Sequence, residues 1–497
     1  GQSACVIAVL KMRLVTFLWM ARCMAWGHDG LANVAPSVTL PNQMTLRGTI
    51  NDSGVKTFKG IPYATPPTGA LRWRPPVPYE PSQADMIGRD AKEFGNICYQ
   101  PVDGSPYNST FVGSEDCLSL NVYVPASASS GADLPVAVWI HGGSFVNGAG
   151  ELYNGTSLAA YGSELGKEVC VVTINYRLNV FGFLGSKELM DEEGSTGNYG
   201  IQDQRLALSW VRENIGAFGC DAKSVTIFGE SAGAGSVSSH LSMPASAPYF
   251  DAAVMESGGF ALWTAQPLSV ASATYELVSS YSSCSSASCL RSLPAAALTA
   301  AASSAAYHIF TEEGAPFYSP SCWSPCVDGV ELTSHPWLLL SSGAVNPNSS
   351  PIIMGTNRDE GATFTPLTPS SPLSDLISYW STGPWSPHQL LTMSTLYLVD
   401  LTSTYPSSSP SSVPYWASVR SLGDFTFTCP RKHASARLPG LAYHYEHAGG
   451  GERQDPVGHG AEVPYVFHDL RRLGEGEDKT ADKLSERWLD FFVGEGG

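Results

Sequence analysis

A serine at position 231 sits in Gly229-Glu230-Ser231-Ala232-Gly233, between the strand-like run Val225-Thr226-Ile227-Phe228 and a small-residue segment that reads as helix. A nucleophile on a sharp strand-to-helix turn needs neighbours without bulk two residues before and two after, and both are glycine here. The turn exposes the hydroxyl above the sheet. A helix opening at Ala232 aims free backbone N–H groups and its positive dipole end at the place where an ester's oxyanion would form. A neutral serine is a poor nucleophile, so this chemistry also requires a histidine within hydrogen-bond reach and a carboxylate to orient it and stabilise its cation.

The stretch Ser224-Val225-Thr226-Ile227-Phe228-Gly229-Glu230-Ser231-Ala232-Gly233-Ala234-Gly235-Ser236 resembles the type B carboxylesterase and cholinesterase family. The Gly- and Pro-punctuated segment from Phe58 to Trp73 resembles that family's N-terminal signature, and the resemblance runs to about Trp488. It implies an α/β-hydrolase fold, with a mostly parallel central sheet covered by helices on both faces. On such folds the acid and then the histidine follow the serine in the chain. Nine histidines do so: His240, His308, His335, His388, His433, His444, His447, His459 and His468. His459 stands out between Gly458 and Gly460, in Gly458-His459-Gly460-Ala461-Glu462-Val463-Pro464-Tyr465, which resembles the family's histidine motif. His444 and His447 are the runners-up; no complementary ligand cluster accompanies their spacing, so no metal site is expected.

The acid comes from Gly355-Thr356-Asn357-Arg358-Asp359-Glu360-Gly361, where a buried-strand run leaves the sheet. Residue chemistry leaves Asp359 and Glu360 both open, and the family motif implies Glu360. His141-Gly142-Gly143-Ser144-Phe145 resembles the family's oxyanion loop, which implies donors at the backbone N–H groups of Gly143, Ser144 and Ala232. Ser144 stands where many relatives have a third glycine. Phe145, Glu230 and Trp263 are candidates for the substrate pocket. The resemblance further implies ion pairs Arg72–Glu115 and Arg177–Asp203, and disulfides Cys98–Cys117 and Cys284–Cys289. Cys322 and Cys326 are a third candidate pair. Cys429 resembles a family cysteine whose usual partner lies further on; no cysteine follows it, so it is expected to be unpaired.

The implied activity is serine carboxylic ester hydrolysis through an acyl-enzyme, which needs no cofactor. Alternatives are a lipase acting on acylglycerols and a catalytically silent adhesion module of the same fold. A cholinesterase is disfavoured, because the loop from Cys98 to Cys117 holds no tryptophan to bind a quaternary ammonium, with Tyr107 a partial substitute.

The elements that position these residues are legible as runs of continuous hydrophobicity. Val136-Ala137-Val138-Trp139-Ile140, Val169-Cys170-Val171-Val172-Thr173-Ile174, Val225-Thr226-Ile227-Phe228 and Pro351-Ile352-Ile353-Met354 read as central strands buried on both faces. Leu206, Ala207, Trp210, Val211 and Ile215 recur at helical spacing and predict a core-facing helix. The Ser- and Ala-rich stretch 279–306 and the Ser- and Pro-rich stretch 402–414 read as surface excursions. Neither makes a convincing linker, so residues 26–497 are expected to form one domain.

Of the 497 residues, 43% are hydrophobic and 15% charged, which suits a large packed core and argues against wholesale disorder. A formal net charge of −17 removes the electrostatic drive for nucleic-acid binding, leaving a small-molecule or lipid ester as the expected partner. Residues 1–25 hold a candidate signal peptide or artefactual leader, with a basic start, a short apolar stretch and small residues near Ala25. No run is long enough for stable membrane insertion. The sequons at Asn51, Asn108, Asn154 and Asn348 add weak support for secretion. Relatives continue past Trp488-Leu489-Asp490-Phe491, so the domain is expected to be short at its C-terminus. The sequence carries no reading of oligomeric state.

Overall fold

The computed structural model describes residues 35–103, 105, 110–311, 322–345, 351–383, 385–399, 413–447 and 456–495. The leader expected at 1–25, Tyr107, Asn108, Asn348 and nearly all of 402–414 lie outside them. Nine strands form the main sheet: β1 (Thr49–Ile50), β2 (Val55–Pro62), β3 (Ser119–Pro125), β4 (Leu134–Ile140), β5 (Cys170–Ile174), β6 (Cys220–Glu230), β7 (Ala252–Glu256), β8 (Ile352–Asn357) and β9 (Leu441–Tyr445). Their spatial order is β9-β8-β7-β6-β4-β5-β3-β2-β1. Every pairing from β9 to β5 is parallel, while β3, β2 and β1 close one side antiparallel. The carboxyl ends of the parallel strands therefore share one edge.

Helices α1 (Gly155–Glu164), α2 (Tyr199–Asn214), α3 (Ala232–Ser242), α4 (Leu268–Ser282), α5 (Ala295–Thr311) and α6 (Asp478–Val493) supply most of the cover. Successive side chains of one strand enter different cores. Val136, Val138 and Ile140 of β4 pack in a cluster with Ala207 and Val211 of α2 and Ala234 and Val237 of α3. Ala137 and Trp139 between them pack with Leu158 of α1 and with Trp488, Leu489 and Phe492 of α6. Strand alternation combined with burial on both faces produces the unbroken apolar runs seen in the sequence.

Two expectations need correction. The Ser- and Ala-rich stretch is no surface excursion: most of it lies in α4, the short helix Ala287–Ser292 and α5, and Ala287, Leu290, Leu298, Ala302 and Ala305 are buried in the main core. Alanine's small side chain allows helices to approach closely, so low hydrophobic bulk did not mean exposure. Cys322 and Cys326 form no bridge; both are buried free thiols. Cys326 belongs to a two-residue strand paired with Gln266–Pro267, and its side chain packs on Gly185 and Gly197.

Cys98–Cys117 and Cys284–Cys289 are bonded, and a third bridge, Cys170–Cys220, joins the starts of β5 and β6. Those strands flank β4 on its two sides, so residues 50 positions apart meet only once the sheet has assembled. Cys429 is free and exposed. Among the described residues no helix is long and apolar enough to cross a membrane.

These thiols should sort by alkylation and peptide mass spectrometry. Cys429 should be modified in the native protein, and Cys322 and Cys326, whose thiols burial pushes up to about 12, only after unfolding. Cys170 and Cys220 should be modified only after reduction as well; labelling of that pair without reductant would contradict the bridge.

Candidate active site

Ser231 follows β6 with φ 59° and ψ −122°, a conformation that side chains rarely adopt and that costs of order 1–3 kcal/mol. Its surroundings hold it there. Ser231 N donates to Glu256 O (2.8 Å), and Gly235 N to Ser231 O (2.9 Å). A Cβ at Gly229 would lie 2.5 Å from the Ile140 carbonyl oxygen, and one at Gly233 would lie 2.0 Å from the same atom. The flanking glycines are thus required by contact with the end of β4.

One residue past Ile140 the chain enters the second loop of the site. Gly143, Ser144 and Phe145 all have positive φ (103°, 55° and 60°), and a Cβ at Gly143 would meet Asn147 O at 2.1 Å. The N–H groups of Gly143, Ser144 and Ala232 have no hydrogen-bond partner among the described residues. A Cβ at Gly142 would stand 3.0 Å from Ser231 Cβ, so this loop lies directly against the serine. His141 is fully buried and stacks on Tyr176 (4.4 Å); burial pushes its imidazole down to about 4, leaving it neutral.

His459 lies on the segment that follows β9. Its Nδ1 is 2.6 Å from Glu360 Oε2, and its Nε2 is 3.1 Å from Glu230 Oε1. Ser231 Oγ has no hydrogen bond to any described residue. Glu360 Oε1 accepts from Ser257 Oγ (2.5 Å) and Asn357 N (2.6 Å), while Glu462 Oε2 accepts from Asn357 Nδ2 (2.5 Å). Asp359, the other candidate acid, faces away: it pairs with Arg358 (2.7 Å) and Arg420 (3.1 Å) and accepts from Val457 N. The imidazole is flanked by Phe427 and Phe364, at centroid distances of 4.6 and 5.0 Å. Phe427 continues to Trp263 (6.0 Å) and Trp263 to Phe145 (6.4 Å), an aromatic path from the imidazole to the glycine loop.

Negative groups crowd this histidine. Burial raises the Glu230 carboxyl, with Glu462 and Glu360 adding to the shift and His459 opposing it. Burial and the charge of Glu360 raise Glu462 as well. For His459, burial alone would favour the neutral ring, but the carboxylates of Glu230 and Glu360 outweigh it and raise the imidazole. Two ion pairs brace the surroundings: Arg72 grips the half-buried Glu115 through two N–H groups (2.6 and 2.5 Å), and Arg177 grips the buried Asp203 likewise (2.8 and 2.7 Å).

Glu230, proposed from the sequence for the pocket, thus lies on the imidazole, and it also lines a cavity of about 720 Å³ with Tyr153, Gly460 and Arg472. His444 sits on edge strand β9 beside Thr356, and His447 pairs with Glu477; neither reaches Ser231 or Glu360 by any contact described. No group of three metal-ligating side chains occurs among the described residues. Sequence reasoning missed Ser257, Glu462, Phe364 and Phe427. Glu462 had a signal, three residues after His459 in the same motif; the others are assembled by tertiary contact.

A strained serine after a parallel strand, a glycine loop after its neighbour and a carboxylate-bound histidine beyond the last strand define an α/β-hydrolase. The chain belongs to the carboxylesterase family, whose model matches residues 35–494. It is 40% identical over 330 residues to para-nitrobenzyl esterase of Bacillus subtilis (strain 168), covering 66% of this chain and 63% of that esterase. It is 33% identical over 476 residues to fumonisin B1 esterase of Sphingopyxis macrogoltabida, covering 89% and 79%. A solved PNB esterase structure superposes with a TM-score of 0.73 at 31% identity, over 93% of this chain and 91% of that one. The chain is a carboxylic ester hydrolase.

A general base must be neutral, and nearby negative charge favours the imidazolium, so the acidic limb of kcat/KM should lie above that of a free imidazole. Glu230→Gln removes one of these charges and should move the limb to lower pH. A pH–rate profile checks this; a limb that stays in place or moves up would contradict the electrostatic account.

Proposed function

We propose that this hydrolase works through a covalent acyl-enzyme on Ser231, with His459 as general base and acid and Glu360 as the carboxylate that orients it. The observation that carries this reading is the 2.6 Å contact between His459 Nδ1 and Glu360, on the sheet edge that also bears the serine turn. With Nδ1–H given to Glu360, Nε2 is the nitrogen left to exchange protons. In the resting arrangement Nε2 faces Glu230, and the reaction begins when it takes Ser231 Oγ as its partner. Hydrogen bonds of this kind are often loose without substrate and tighten in the complex.

Ser231 Oγ attacks the ester carbonyl carbon and its proton passes to His459 Nε2. The oxyanion accepts from the N–H groups of Gly143, Ser144 and Ala232. Collapse breaks the bond to the leaving oxygen, which receives the proton and departs as the alcohol. A water molecule then gives a proton to Nε2 and attacks the acyl carbon; the carboxylic acid leaves and Ser231 regains its proton. The cycle consists of proton transfers and carbon–oxygen bond changes and calls for no cofactor. Phe145 and Trp263 serve as apolar walls for the acyl group, and residues 26–497 act as one domain. Three disulfides fit an oxidising compartment, so the chain works in the secretory pathway or outside the cell.

A lipase reading has one observation in its favour. Leu373 and Ile377, one helical turn apart, and Leu391 and Leu396 are exposed around a satellite cluster built on Leu376 and Trp380. Hydrolysis of p-nitrophenyl esters and triacylglycerols of increasing acyl length separates the two. Ser231→Ala should lower kcat by about 10⁴-fold or more on every hydrolysed ester, with melting temperature retained. Activity that survives this substitution would reject the mechanism, and a rise at an emulsified interface would favour the lipase.

A further inference from the structure

The side chains at the carboxyl end of the sheet form a row on the face covered by α6. Phe228 of β6 and Val254 of β7 pack in the cluster that holds Trp488, and Glu230 and Glu256 come two residues after them, so both carboxyls point to that face. Strand pairing sets them side by side: Glu230 is opposite Glu256, Glu256 opposite Gly355 of β8, and Gly355 opposite Tyr443 of β9. A Cβ at Gly355 would lie 2.0 Å from Tyr443 Cε1, so the phenol ring takes the place next to Glu256 that a side chain at 355 would fill. Tyr443 Oη donates to Glu462 Oε1 (3.4 Å). Trp488, edge-on to Tyr443 (5.2 Å), donates its Nε1–H to Glu256 Oε1 (2.7 Å). Glu256 is thereby fully buried. The serine turn uses only its backbone carbonyl, which accepts from Ser231 N.

A buried carboxylate needs donors on both oxygens or a counter-charge. Glu256 has one neutral donor, and among the described residues nothing donates to its Oε2. The groups that face it are acidic or neutral: Glu230 from β6, Tyr443 from β9 and Glu462, with Glu360 and His459 in the same cluster. An anion here would be repelled by two carboxylates and bonded by one N–H, whereas a carboxylic acid carries a donor of its own. Burial raises this carboxyl well above the ordinary carboxylate range; the charges of Glu462 and Glu230 add to the rise, and the Trp488 bond only partly opposes it. Oε1 accepts from Trp488 and is therefore the carbonyl oxygen, which leaves the hydroxyl on Oε2. Of the acceptors around it, Glu462 weighs more on Glu256 than Glu230 does, and Glu462 Oε1 is short of donors. Ser257 and Tyr443 reach that oxygen only at 3.5 and 3.4 Å, while Glu462 Oε2 has Asn357 at 2.5 Å. We propose that Glu256 is a permanently neutral carboxylic acid that donates its Oε2–H to Glu462 Oε1, a positioning residue that holds the charge of Glu462 within the carboxylate cluster around His459. That charge, after those of Glu230 and Glu360, raises the imidazole against the effect of burial.

Infrared difference spectra and pH–rate profiles of the full chain test this. In mildly alkaline buffer, where ordinary carboxylic acids are ionised, the chain should keep a carboxylic-acid carbonyl band. Glu256→Gln should lack that band, and Trp488→Phe, by removing the N–H bonded to the carbonyl, should move it to higher frequency. The bands are read without turnover, so they hold or fail independently of the proposed acyl-enzyme route, on which the kinetic arm rests. In that arm, glutamine keeps an acceptor for Trp488 and a donor for Glu462, so Glu256→Gln should leave the acidic limb of kcat/KM in place. Glu256→Met removes the donor, lets Glu462 take up a proton and should lower the limb by roughly one pH unit, with no further shift when Glu462→Gln is already present. Absence of the band, or a Glu256→Gln limb as low as that of Glu256→Met, would overturn the proposal. So would a Glu256→Met limb that stays in place, or a shift that persists on Glu462→Gln. Should the methionine variant fail to fold, the band and the glutamine profile decide.

Discussion

The Ile140 carbonyl oxygen is the point from which the site is built. It ends β4 and faces positions 229 and 233, where a side chain would come within 2.5 and 2.0 Å of it. Because that contact admits only glycine, the chain can turn from β6 into α3 within a single strained residue, Ser231. The next residue along β4's own chain, His141, starts the loop that carries Gly143 and Ser144 to the serine. One close approach between two adjacent parallel strands thus positions both the Ser231 side chain and the glycine loop that lies against it. The strain at Ser231 is sustained by the buried sheet and by the backbone bonds it makes to Glu256 and Gly235.

Electrostatics govern the remaining half of the site. Glu230, Glu360 and Glu462 are buried around His459, and burial raises the carboxyls of Glu230 and Glu462. Hydrogen bonds divide their duties. Ser257 and Asn357 hold Glu360 in place against the imidazole, Asn357 also ties down Glu462, and Glu230 meets the opposite nitrogen. An imidazolium is therefore favoured here, as the proposed acyl-enzyme route asks of its base. The aromatic rings of Phe364 and Phe427 pack against the imidazole, at centroid distances of 5.0 and 4.6 Å.

Much of this could be read from the sequence, for a physical reason. Where backbone meets backbone the requirement falls on residue type at fixed spacing, as at Gly229, Gly233 and Gly143, and continuous apolar runs betray strands buried on two faces. Glu360 and Asp359 could not be separated on chemistry, because the difference is which side of the loop each faces: one toward His459, the other toward Arg358 and Arg420. Cys170–Cys220 and the Phe364–Phe427 pair left no local trace, since sheet order and loop packing create them. The alanine-rich helices α4 and α5 were misread because close packing of small side chains buries residues that contribute little hydrophobicity.

The central claim is that the Ser231 hydroxyl is the atom that becomes acylated. Rapid-quench mixing with p-nitrophenyl acetate, followed by peptide mass spectrometry, tests it most directly. The account predicts a pre-steady-state burst of nitrophenol and an acetyl group on the peptide containing Ser231, absent from Ser231→Ala and slow to form in His459→Ala. Turnover with the acetyl group on another residue, or an undiminished burst from Ser231→Ala, would contradict it.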